Sequence, residues 1–110
     1  MTISRMGAEF EYGGAVYKIG GRIVGTPESE YEGLYGTVTE IRDGKDKETG
    51  NETPDLYCSF ESPVLPGEIK RLEEVFSELY DQPKAIDEII LDSVIMAPSM
   101  VRPVDGSGQH

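Results

Sequence analysis

Residues 20–41, G-G-R-I-V-G-T-P-E-S-E-Y-E-G-L-Y-G-T-V-T-E-I, constrain the fold of this chain more than any other stretch. A short apolar run, Arg22-Ile23-Val24, gives way to a polar loop, and Gly33-Leu34-Tyr35-Gly36 opens a Val/Thr-rich run ending at Ile41. Two glycines directly ahead of a β-prone run mark a sharp turn into a strand, where the backbone needs positive φ or close approach. Between the runs, Pro27 keeps Thr26 out of helical geometry, and Glu28, Glu30 and Glu32 repel one another. The stretch is therefore strand, acidic loop, glycine turn and strand.

The flanking residues extend a β pattern. Glu9-Phe10-Glu11-Tyr12 alternates polar and aromatic, Gly13-Gly14 is a two-residue turn, and Ala15-Val16-Tyr17-Lys18-Ile19 returns, which predicts a hairpin. A polar run over 43–54 reads as a solvated loop or excursion. Over 55–61, Leu56, Cys58 and Phe60 share one face of a strand and Tyr57, Ser59 and Glu61 the other; the first set is the better core face. Ile69, Leu72, Val75, Phe76, Leu79 and Tyr80 then recur at helical spacing, predicting one amphipathic helix over about 67–80. Pro66 and Glu68 suit its first turn, where a missing N–H costs nothing and an acid meets the positive end of the helix dipole. Residues 84–97 admit helix or strand; the preferred reading is a short helical piece near 83–87, then a strand over about 89–96, with an edge segment at 100–103. The 110 residues suit one domain. The expected division is a flexible lead-in at 1–8, a single domain at 9–102 and a flexible tail at 103–110.

The order Ile23-Val24, loop, Gly33, Gly36 and Val38 resembles a KOW motif, in which an apolar strand leads through a loop and two glycines into a valine-bearing strand. The resemblance covers about a fifth of the chain and implies an SH3-like small barrel, in agreement with the several short strands. KOW-type domains often contact RNA or a protein partner of transcription or translation. RNA contact needs cations near the loop, and this loop carries Glu28, Glu30 and Glu32, so the resemblance does not imply RNA binding here. Residues 54–61 and 94–100 also resemble small proteins carried on mobile elements of Gram-positive gut bacteria, which implies a genomic setting and no mechanism.

Charge and composition restrict the chemistry. A net charge of −11 repels nucleic acid and anionic membranes and favours basic partners or a solubilising surface. Cys58 is the single cysteine and His110, at the C-terminal end, the single histidine, so there is no intrachain disulfide, no cysteine-based zinc site and no internal histidine to activate a nucleophile. Cys58 reads as an inert core thiol. The run from Asp43 to Glu48 places a lysine where a calcium loop needs an oxygen ligand. The glycine pairs lack the lysine pattern of a phosphate loop. The chain is therefore expected to be non-enzymatic, with no cofactor and no metal. The N-terminal residues lack a secretory apolar core, and no apolar run approaches a membrane span, so a cytoplasmic setting is expected.

The sequence-level reading is thus an α+β, mainly β domain: an SH3-like barrel of about five strands with one helix. Its expected role is recognition of a basic protein partner through an acidic, tyrosine-bearing patch of Glu28, Glu30, Tyr31, Glu32, Tyr35 and Tyr57. The competing role for these tyrosines is to cap and complete the core. The alternative function is an acidic nucleic-acid mimic that inhibits a DNA-binding enzyme, its carboxylates standing in for phosphates. A homo-oligomer is also compatible: the apolar 94–101 segment can form a subunit interface or simply pack on the helix.

Overall fold

The computed structural model describes residues 1–104. Among them the chain forms, in order, β1 (Thr2–Ile3), β2 (Glu9–Tyr12), β3 (Ala15–Lys18), β4 (Arg22–Gly25), β5 (Tyr35–Arg42), β6 (Asp55–Phe60), α1 (Pro66–Tyr80), β7 (Val94–Met96) and β8 (Val101–Pro103). This is a small α+β domain, mostly β. Single 3-10 turns at Gly44–Asp46, Ile86–Glu88 and Pro98–Met100 punctuate the connections.

All strand pairs are antiparallel. β2 and β3 form the expected hairpin across Gly13-Gly14, with Tyr12 opposite Ala15. The other strands build one sheet in the order β7-β6-β5-β4-β8, with β1 pairing on β5 as well. Long β5 can serve β4 with its first half and β1 with its last two residues. The register shifts between Val38 and Glu40. Val38 and Ile41 are three residues apart and both fully buried, opposite Cys58 and Leu56. A strict two-residue alternation would send one of them to solvent; the extra residue at Thr39 keeps both on the core face. Gly36 faces Phe60 across the same ladder, and a Cβ there would sit 2.6 Å from the Ser59 carbonyl oxygen. Close approach is thus what this second glycine of the turn supplies.

β7 and β8 lie at opposite ends of the strand order but are joined by residues 97–100 alone. In a flat sheet the end strands would stand about 19 Å apart, at about 4.8 Å per spacing. The link could reach about 17 Å only if fully extended, and its 3-10 turn advances only about 2 Å per residue. The sheet therefore curls strongly. It remains open, because β7 and β8 do not pair.

The concave side holds Ile23, Val38, Ile41, Leu56, Cys58 and Met96, all essentially inaccessible. Leu56, Cys58 and Phe60 point inward, as their alternation predicts. Helix α1 closes this core through Leu72 and Phe76, the buried members of its apolar stripe. Val75, Leu79 and Tyr80 stay exposed, so the stripe is wider than the surface it covers. Each fully buried side chain of this size contributes roughly 1.5–3 kcal/mol.

Three stretches differ in detail from the sequence expectation. Residues 1–8, expected as a lead-in, include β1, and the Met1 ammonium group lies 2.8 Å from Asp46 and donates to the Asp43 carbonyl. The strand expected over 89–96 is confined to Val94–Met96, because Ser93 adopts a left-handed conformation (φ 55°) that ends the extended run. Within the expected tail, Pro103 belongs to β8 and the Val104 N–H donates to the Arg22 carbonyl; residues 105–110 lie outside the described residues.

Candidate functional site

The acidic loop at 26–34 is a folded structure rather than a slack connection. Thr26 ties its start to the 3-10 turn, through its N–H to the Met100 carbonyl (2.9 Å) and its hydroxyl to the Ser99 carbonyl (2.7 Å). The Ser29 hydroxyl oxygen accepts the Tyr31 N–H at 2.9 Å. Gly25 donates to the Leu34 carbonyl and accepts from the Gly33 N–H, which pins the loop's end to its beginning. This crossing is tight: a Cβ on Gly25 would lie 2.2 Å from the Tyr31 carbonyl oxygen. Gly33 turns the chain with φ of 84°. From across the fold, Arg71 of α1 donates to the Glu32 carbonyl at 2.9 Å.

Tyr31 does not join the expected surface patch. It is 4% exposed, stacked on Phe60 and edge-on to Phe76. Its hydroxyl donates to the Ile90 carbonyl at 2.6 Å, and burial followed by the nearby Glu30 charge drives its pKa up. This side chain completes the core under α1.

Tyr35 and Tyr57 lie on the opposite, convex face of the sheet, and each already holds a cation from its own chain. The Arg22 guanidinium sits 5.0 Å from the Tyr35 ring centroid and pairs with Glu61 at 2.8 Å. Arg42 sits 4.9 Å from the Tyr57 ring and pairs with Glu40 and Glu48. The Tyr57 hydroxyl donates to Glu48 at 2.5 Å; burial, then that bond, pushes its pKa up to about 12. An internal arginine thus already occupies one face of each ring, although Tyr35 remains 44% exposed.

Glu28, Glu30 and Glu32 differ from these acids. Among the described residues there are four ion pairs, and none involves a glutamate of this loop. Glu28 and Glu32 are exposed and Glu30 is half-buried. A cleft of about 450 Å³ runs between the loop and the first turns of α1, with Glu30, Glu32 and Glu68 at its sides and Arg71 as its one cation.

Two other groups are structural. Burial pushes the Cys58 thiol up to about 12, far from a reactive thiolate. Asp55 is 1% exposed. Its carboxylate accepts the Glu48 and Thr49 N–H groups (2.8 and 3.0 Å) and the Thr49 hydroxyl (2.5 Å), which folds the polar 43–54 excursion onto the sheet. Burial alone would raise its pKa, but the bonds from Thr49 and Glu48 hold it below the ordinary value. No cluster among the described residues has the ligands for a metal ion, and no helix there is long and apolar enough to cross a membrane.

The expected site is thus divided: Glu28, Glu30 and Glu32 on the loop, Tyr35 and Tyr57 on the convex face, Tyr31 in the core. Arg71 and Glu68, which shape the cleft, lie some forty residues further along the chain and carry no local signal of that contact. No protein-family model matches the chain, and no curated protein or solved structure shows significant similarity to it.

Proposed function

We propose that this chain is a non-enzymatic binding module on an open SH3-like scaffold, and that the 26–34 loop docks a basic protein partner. The scaffold reading is supported by five antiparallel strands whose first and last members, β4 and β8, pair, with a single 3-10 turn joining the last two. The KOW resemblance falls on the β4–loop–β5 hairpin of that sheet. The function is argued from the loop's three glutamates, which have no ion pair among the described residues, on a loop whose backbone is held by hydrogen bonds, while the acids beside Tyr35 and Tyr57 are already paired. A backbone already ordered loses little entropy on docking, and carboxylates without a partner of their own among the described residues steer a cationic partner in.

The partner surface therefore comprises Glu28, Glu30 and Glu32. Panning an unbiased peptide library against the wild type and against the Glu28→Gln/Glu30→Gln/Glu32→Gln variant tests it. Lysine- and arginine-rich sequences enriched by the wild type alone support the reading. Neutral or acidic sequences, or equal enrichment by both, overturn it.

A further inference from the structure

We propose that the cleft between the 26–34 loop and α1 receives a single arginine or lysine side chain from an extended partner segment. The inference rests on the loop being the docking surface and names where, and with what group, it docks.

The lining is amphipathic in the way such a side chain is. Leu34 and Val75 offer an apolar shelf, and Val75 is 38% exposed although it belongs to the helix's apolar stripe. Glu30, Glu32 and Glu68 stand around that shelf, and none of the three has an ion-pair partner among the described residues. An aliphatic stem can lie on the shelf while its charged head meets the carboxylates. The volume of about 450 Å³ lies toward the small end of ligand-sized pockets, which run from roughly 300 to 1,000 Å³, and leaves room for an arginine or lysine side chain.

The sign of the occupant follows from the charges. The cleft's one cation, Arg71, directs an Nη2–H to the Glu32 carbonyl, and the helix N-terminus adds only about half a positive charge. Three carboxylates outweigh both, so a phosphate or carboxylate ligand is repelled. Arg71 itself occupies part of the space and charge field that the incoming cation would use. Removing its charge therefore strengthens binding of a cation and weakens binding of an anion.

The test is an NMR titration of the 15N-labelled chain with acetyl-Ala-Leu-Arg-Leu-Ala-amide and with the same peptide carrying citrulline in place of arginine. The expected result is saturable shifts at the Gly33, Gly67 and Arg71 amides, about fivefold to tenfold weaker affinity for the citrulline peptide, and a comparable loss in Glu30→Gln/Glu68→Gln. Arg71→Gln, checked for an unchanged native spectrum, binds the arginine peptide more tightly. Shifts mapping to the loop tip at Glu28 or to the convex face overturn the cleft assignment and leave a basic partner in place. No saturable shift with either peptide overturns the cleft assignment, and the library panning then decides the broader reading separately. Weaker binding of the peptide by Arg71→Gln, or shifts at the same amides with inorganic phosphate, overturn the assigned sign.

Discussion

Tyr31 lies flat against Phe60, with ring centroids 4.6 Å apart and planes 7° from parallel, and it locks the acidic loop onto the core. Its neighbours Glu30 and Glu32 are half-buried and exposed, respectively.

Replacing Tyr31 separates its two contributions. Tyr31→Phe keeps the stacking and loses the bond to the Ile90 carbonyl, an expected cost of about 1 kcal/mol. Tyr31→Ala also opens a cavity between Phe60 and Phe76, for an expected cost of roughly 3–5 kcal/mol. Urea denaturation measures both. An alanine variant as stable as the wild type would contradict the burial described here.

Asp55 makes stability depend on acid. Its folded-state pKa is held below the ordinary value of 3.8, so its contribution is fully present above that value and is lost as pH falls through the depressed one. Asp55→Asn leaves the Glu48 and Thr49 donors with a neutral, weaker acceptor, and is expected to cost about 1–3 kcal/mol at pH 7. The gap between wild type and variant should narrow below about pH 4. Denaturation curves at pH 7 and pH 3 read this directly; a gap that widens in acid contradicts it.

Cys58 should be chemically silent. It is 0% exposed and its thiol is pushed up to about 12 by burial, so Ellman's reagent at pH 8 is expected to leave the native chain unmodified and to react at once in guanidinium chloride. Rapid modification of the native chain would show that the sheet opens at β6.

Features carried by local pattern were legible in the sequence, and features made by distant contacts were not. The helix, the β2–β3 hairpin and the inward set Leu56, Cys58 and Phe60 follow from periodicity alone. Gly33 and Gly36 announced a turn and a close approach, and the chain uses one for each. Of the two roles the sequence leaves open for Tyr31, surface patch or core, the chain uses the core, and local pattern does not decide this because the covering residue, Phe76, lies 45 positions away. Tyr57 does occupy the polar face of its strand, but Arg42 and Glu48 cover it there, so alternation identified the face without its occupancy. The three loop glutamates are identifiable as a group from sequence; that they have no ion pair among the described residues depends on where Arg22, Arg42 and Arg71 reach.

Docking of a basic partner on the 26–34 loop is tested most directly by paired selection of peptides on the wild-type chain and on the chain with Glu28, Glu30 and Glu32 changed to glutamine. The wild type is expected to enrich arginine- and lysine-bearing sequences whose binding weakens as salt is raised, and the variant to enrich none of them while keeping the wild-type denaturation curve. Equal enrichment of cationic peptides by a folded variant would contradict it, and would move the binding surface away from this loop.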